Sequence, residues 1–165
     1  MPQTSLTATV VEVVLNLVPM TEREHGEWMD IAISSYAAAK VQSGDWKDSD
    51  ADQLARRAFD ALLTDGAKTT NHQLLSVRSS ELDCSVGYLW FAIEDGKIFL
   101  YDITILPNYR RQGFGRQAMQ ALERRAVELG IGCVSLHVFA HNEGARALYE
   151  HLNYKVTDLT MQKRV

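Results

Sequence analysis

The run Ile103-Thr-Ile-Leu-Pro-Asn-Tyr-Arg-Arg-Gln-Gly-Phe-Gly-Arg-Gln-Ala118 holds the residues best suited to chemistry. An apolar stretch ends at Pro107. A turn with arginines and glycines follows, and an amphipathic pattern opens inside it. Backbone N–H groups at a helix start are unpaired, and the helix dipole adds partial positive charge. Glycines let a phosphate approach the backbone closely. Arg110, Arg111 and Arg116 add full charges. Read alone, the segment is a pyrophosphate cradle.

Two other fingerprints compete for the same glycines. Gly113-x-Gly115-x-x-Ala118 matches the dinucleotide-binding pattern letter for letter. That pattern wants its first glycine directly after a strand and an acid some twenty residues on, for the ribose. Roughly six residues intervene here, and no acid stands between Glu128 and Glu143. A P-loop needs Gly-Lys-Ser/Thr, which is missing. A glycine-broken loop with solvated arginines is the plain alternative.

The remaining chemistry-bearing residues are scattered. His137-x-x-x-His141 has the spacing of two ligands on a helix, but the pair straddles the end of an expected strand and no third ligand is evident, so no metal is expected. Cys133 and Cys84 each sit in an apolar run and read as free thiols, Cys133 as a buried one, with no feature that favours a disulfide.

Elements must position these residues. The chain has 165 residues, 46% hydrophobic and 23% charged, which suits one folded domain over 1–165 and argues against disorder or a disulfide scaffold. No apolar run is long enough for a membrane span, and the Ala8–Met20 stretch lacks a basic lead-in, so a cytoplasmic protein is expected. Net charge is −4, against nucleic acid as a partner, yet it divides into −7 over residues 1–100 and +3 over 101–165.

The β-branched run at Thr9–Leu17 predicts a first strand, stopped by Pro19. Thr21 with Glu24 forms a capping-box pattern for a helix to about Gln42, with Trp28, Ile31, Ala32, Tyr36 and Ala39 on its apolar stripe. A second helix is expected from Asp48 or Asp50 to Leu63, with Leu54, Ala58, Ala61 and Leu62 inward. Gln73–Arg78, Ser85–Ile93 and Lys97–Ile105 read as strands, the last two joined by an Asp95-Gly96 hairpin turn. A helix follows over Gly113–Leu129, ended by Gly130. Cys133–Phe139 reads as a strand with a partner on each side, Ala145–Leu152 as a short helix, and Tyr154–Lys163 as a last strand. The order β-α-α-β-β-β-α-β-α-β gives an α+β (mixed α/β) fold: a central mixed, mainly antiparallel sheet with helices on both faces.

Arg110-Arg-Gln-Gly-Phe-Gly115 resembles the acyl-CoA signature of the GNAT N-acetyltransferases, Arg/Gln-x-x-Gly-x-Gly/Ala. About 30 residues on, as in that family, His141-Asn142-Glu-Gly-Ala145-Arg-Ala-Leu148-Tyr149-Glu-His-Leu-Asn153-Tyr154 resembles its second motif. Tyr101-Asp102-Ile103, Leu136-His-Val-Phe and Met161-x-Lys163 look like a bacterial subgroup whose substrates are mostly unassigned. Two departures stand out: Arg111-Gln112 replaces the usual Gly-Lys or Gly-Gln, and Asn153 replaces the glycine of the Gly-Phe ending. Asparagine is the next-best residue for a left-handed helix cap, so that turn can survive.

The resemblance implies an acetyl-CoA-dependent N-acetyltransferase without metal, acting on a primary amine that the sequence does not identify. Backbone groups of Ile103, Thr104 and Ile105 would pair with the pantetheine amides. Arg110, Arg111, Gln112, Gly113, Phe114, Gly115 and Arg116 would hold the pyrophosphate, and Asn142 and Ala145 belong to the cofactor side of the second motif. Tyr149 matches the usual general acid; packing beside Ala145, Leu148 and Leu152 would explain it equally. Asp102 is the first choice for general base, although alternation puts it on the opposite face from Tyr101, Ile103 and Ile105. Tyr101 and Glu94 are the fallbacks. The region of Trp28, Tyr36 and Trp46, with Asp45, Asp48, Asp50 and Asp52, usually borders the acceptor; those acids would favour a cationic amine or simply cap a helix. A non-catalytic acyl-CoA-binding module is the alternative to an enzyme, and other acyl-CoA donors stay open. Homodimers are frequent in the family, and no feature here demands one.

Overall fold

The computed structural model describes residues 15–163 and Val165. Five strands form one sheet in the order β1-β2-β3-β4-β5. They are β1 (Leu15–Pro19), β2 (His72–Ser79), β3 (Cys84–Glu94), β4 (Lys97–Ile105) and β5 (Val134–Leu136). Neighbours β1 to β4 run antiparallel, and β5 lies parallel to β4. The helices are α1 (Glu22–Gln42), α2 (Asp48–Leu62), α3 (Phe114–Glu128) and α4 (Glu143–His151). Helices α1 and α2 cover one face of the sheet, around Trp28, Ala32, Phe59 and Trp90. Residues of α3 and α4 pack on the other, around Leu89, Phe91, Met119, Leu122 and Tyr149. The expected fold class and the helices on both faces are present.

The local rules behave as read. The Thr21 backbone N–H donates to Glu24 Oε2 at 2.9 Å, and the Glu24 N–H donates to Thr21 Oγ1 at 3.2 Å, a complete capping box. Gly130 takes φ +70°, with the Gly130 N–H on the Val127 carbonyl and the Ile131 N–H on that of Ala126. That is the Schellman ending of α3. Asn153, at φ +66°, ends α4 in the same way: its N–H bonds the Glu150 carbonyl and that of Tyr154 bonds the Tyr149 carbonyl.

Four expectations need correction. The first strand begins, among the described residues, at Leu15 and carries Pro19 as its final residue; positions 9–14 lie outside those described. In α2 the buried stripe is Ala51, Ala55 and Phe59, one position round from that expected, because the ring of Phe59 packs on Trp28 and Trp90. The strand expected over Cys133–Phe139 keeps only Val134–Leu136 and, among the described residues, pairs with β4 alone. Beyond it Phe139 meets the His137 ring edge-on, stacks on His141 and leans on Tyr36 of α1, which draws the chain out of the sheet. No strand forms over Tyr154–Lys163. A strand needs a hydrogen-bonding neighbour, and here Val156, Leu159 and Met161 stand 66%, 75% and 92% exposed.

Candidate active site

The site is created where β4 and β5 part. Their last pair is Leu100 with Leu136, yet β4 continues to Ile105 with β3 as its partner. The β5-facing edge of residues 101–105 therefore opens as a slot. At its far end the turn Pro107–Gly113 leads into α3. The first turn of α3 has no side-chain cap, and its N-cap residue Gly113 sits at φ +85°, where a side chain would be strained. A Cβ on Gly115 would press on Leu148 Cδ2 at 3.4 Å. Arg111 is also left-handed, at φ +61°, a costly geometry for a non-glycine residue and one that clusters at functional sites. Arg110, Arg111 and Arg116 are exposed around this helix start. An open helix terminus, a left-handed glycine and three arginines fit a polyphosphate.

The cradle is tied to the slot by side chains. Arg110 Nε donates to the Ile105 carbonyl at 2.9 Å, and Gln112 Nε2 donates to the Asn108 carbonyl at 2.9 Å. Phe114 is buried, its ring edge-on to Tyr109. Across the slot, Asn142 Oδ1 accepts from the Ala145 N–H at 3.2 Å and so caps α4.

Sheet geometry sorts the catalytic candidates differently from simple alternation. The pairing of β3 and β4 slips between Trp90 and Phe91: Trp90 faces Asp102, Phe91 faces Leu100, and Tyr101 is the extra residue of a bulge. Tyr101 and Asp102 thus both turn to the α1/α2 face, while Ile103 and Ile105 pack with the opposite core. Asp102 was expected to stand apart from Tyr101, and the bulge cancels that separation. Asp102 Oδ2 accepts from Trp28 Nε1 at 2.9 Å and from Thr104 Oγ1 at 3.1 Å. Burial pushes its carboxyl above the ordinary aspartate value, with those two bonds pulling the other way. Tyr149 of α4 is 8% exposed. Burial first, and then the charge of Asp102, pushes its phenol up to about 12.

The fallback bases separate. Tyr101 Oη donates to Glu94 Oε1 at 2.6 Å, and burial with that bond raises the phenol to about 12, so it holds its proton at neutral pH. Glu94 is exposed on the hairpin. Cys133 is exposed rather than buried, because it precedes β5 at the sheet margin, and Cys84 meets Tyr109 Oη at 3.3 Å. Among the described residues no group of three or more His, Cys, Asp or Glu is placed to hold a metal ion. Likewise no helix among them is long and apolar enough to cross a membrane.

Sequence reasoning missed two supports of the slot. Trp28 was placed on an apolar stripe and in the region that borders the acceptor, but not as the group whose indole N–H holds Asp102. Gly87 went unremarked, although a Cβ there would collide with the Thr104 carbonyl oxygen. The signal for Gly87 was its isolation inside an apolar strand, which marks a bulge or close backbone approach.

Comparison with known proteins gives the family and the fold. The model of the acetyltransferase (GNAT) family matches residues 36–154. The chain is 38% identical to the uncharacterized N-acetyltransferase YycN of Bacillus subtilis over 153 residues, 90% of this chain and 97% of that one. The crystal structure of YycN superposes with a TM-score of 0.88 over 92% of this chain and 99% of that one, at 37% identity. The PaiA N-acetyltransferase of Thermoplasma acidophilum, solved in complex with coenzyme A, shares the fold at a TM-score of 0.68 and 16% identity, over 88% and 92% of the two chains. A family match across most of the chain, joined to a relative this similar over nine-tenths of it, places the protein in the GNAT family and makes it an acetyltransferase.

Proposed function

We propose that the protein moves the acetyl group of acetyl-CoA onto a primary amine by direct attack. Asp102 is the base in this reading and Tyr149 the general acid. The observation that carries it is the parting of β4 and β5 after Leu100 and Leu136, with an uncapped, arginine-flanked helix start at one end and Asp102, held by Trp28 and Thr104, in the strand beside it.

Acetyl-CoA supplies the acetyl group as a thioester. The first turn of α3, with Arg110, Arg111 and Arg116, neutralises the pyrophosphate through backbone N–H groups and guanidinium charge. Backbone groups of Ile103, Thr104 and Ile105, with Asn142, align the pantetheine arm along the slot. Arg110 would exchange the Ile105 carbonyl for a phosphate as the arm enters. The cradle's residues fit: the Gly113–Gly115 turn keeps side chains off the path, and Gly115 lets Ile105 and Leu148 close behind it.

Asp102 takes a proton from the incoming amine. Its raised carboxyl is better matched to that task at neutral pH than an ordinary aspartate. Tyr149, protonated throughout the physiological range, hydrogen-bonds the departing sulfur and yields its proton as the carbon–sulfur bond breaks. Holding both partners in one slot supplies much of the rate.

A thermal melt with acetyl-CoA, CoA and NAD, paired with a thiol-release assay on an amine panel, tests the reading. At a hundred times its dissociation constant a ligand adds about 2.7 kcal/mol, a shift of several degrees. Both CoA forms should shift the melt, and NAD should not. No shift with acetyl-CoA overturns the proposal.

A further inference from the structure

The α1/α2 face of the sheet carries a wall of aromatic rings beside the bulge. Tyr101 stacks on Trp90 at 4.5 Å between centroids and 17° between planes, and on His72 at 5.8 Å. Phe99 closes edge-on at 4.8 Å. Trp90 Nε1 donates to His72 Nδ1 at 2.9 Å, which requires that nitrogen to be unprotonated, so the imidazole is neutral. The phenol at the end of this stack is fixed on Glu94 Oε1. Glu94 makes no ion pair among the described residues. The bulge residue thus runs from the parting of β4 and β5 to a carboxylate that faces Lys97 across the hairpin without forming an ion pair.

The same face shows what such a wall accepts. The Lys40 ammonium lies 5.9, 5.5 and 5.7 Å from the ring centroids of Tyr36, Trp46 and Phe139, and Asp45 Oδ2 closes the arrangement at 2.9 Å. Rings plus a carboxylate hold an alkylammonium there. At Tyr101 and Glu94 the rings and the carboxylate recur with no cation seated on them: Lys97 faces Glu94 across the hairpin but forms no ion pair with it. An aromatic wall alone would suit an apolar amine equally; the carboxylate decides for charge.

Building on the acetyl-transfer reading, we propose that the acceptor is a dicationic alkylamine. One amine loses its proton at Asp102 and is acetylated. The other stays an ammonium against the ring of Tyr101 and the carboxylate of Glu94, and so sets which end reacts.

The test compares kcat/KM for putrescine and cadaverine with butylamine and pentylamine, in the wild type and in Glu94→Gln. Diamines should be preferred by about ten- to a hundredfold, the range for one charge-assisted hydrogen bond. Glu94→Gln should bring the ratio to within roughly threefold, chiefly through the diamine KM, while keeping the acetyl-CoA melting shift. Equal values in the wild type overturn the proposal. So does an unchanged ratio with both classes slowed alike, which would make Glu94 a base. Turnover of neither class, with the acetyl-CoA shift intact, overturns the acceptor class and leaves acetyl-CoA binding standing. Loss of that shift in the wild type overturns both readings.

Discussion

The indole Nε1 of Trp28 stands 2.9 Å from Oδ2 of Asp102, a bond that ties the first turns of α1 to the parting of β4 and β5 seventy-four residues later. Asp102 is thereby fixed by an element packed on the sheet, and this side of the slot inherits its geometry from helix packing. Because the bond favours the charged carboxylate, Trp28 also sets how readily Asp102 takes a proton.

Trp28→Phe removes that donor and keeps most of the packing. Losing a hydrogen bond to a buried carboxylate should cost about 1.5–3 kcal/mol of stability. With one fewer bond to the charged form, Asp102 should titrate at higher pH. If Asp102 is the base, the acidic limb of kcat/KM moves upward with it. A pH–rate profile at saturating acetyl-CoA checks this, and an unmoved limb assigns the proton to another group.

Tyr149→Phe keeps the ring and removes the hydroxyl. The ring fills the core beside Phe114 and Met119, so the melt should change little. A lost general acid should lower kcat by about a hundredfold or more. The acetyl-CoA shift should persist, which separates chemistry from binding. Full turnover in the variant would reduce Tyr149 to a packing residue.

The parts legible in the sequence were those governed by local rules. Thr21 and Glu24, Gly130, and the Asp95-Gly96 turn follow from capping and turn chemistry within a few residues, and all appear where expected. The open, arginine-flanked start of α3 was legible for the same reason, since Arg110 to Gly115 are contiguous. What escaped depends on partners distant in sequence. The bulge at Tyr101 is set by pairing with Trp90 and Phe91, so alternation along β4 alone placed Asp102 on the wrong side of its neighbour. The bond from Trp28 is invisible without the packing of α1. Tyr154–Lys163 has a strand's composition but pairs with no strand of the sheet among the described residues.

Glycines at the slot should differ in what they tolerate. At Gly87 an added methyl would strike the Thr104 backbone carbonyl, which the β3–β4 ladder holds in place. Gly87→Ala should therefore cost about 1–3 kcal/mol as overpacking, with β4 displaced. At Gly115 the nearest atom is the end of the Leu148 side chain, which can turn aside. Gly115→Ala should melt close to the wild type and instead weaken the acetyl-CoA shift, because the methyl crowds the first turn of α3. Denaturant melts with and without acetyl-CoA separate the two effects.

Acid should unfold the protein partly through Glu24. Burial pushes this carboxyl up, but bonds from the Thr21 N–H, the Ser85 hydroxyl and the Thr21 hydroxyl outweigh it and hold the group at about 2, against an ordinary 4.5. A carboxyl depressed by folding binds fewer protons in the native state than in the unfolded chain. Its contribution is complete above about pH 4.5 and is lost as pH falls toward 2. Glu24→Gln keeps one acceptor oxygen and cannot titrate. It should be less stable than the wild type at pH 7, by about 1–3 kcal/mol, and the gap should close as pH falls from 5 toward 2. Urea melts of both proteins across that range measure the gap directly. A constant difference would mean that the capping box holds α1 without help from the charge, and that acid acts on other carboxylates.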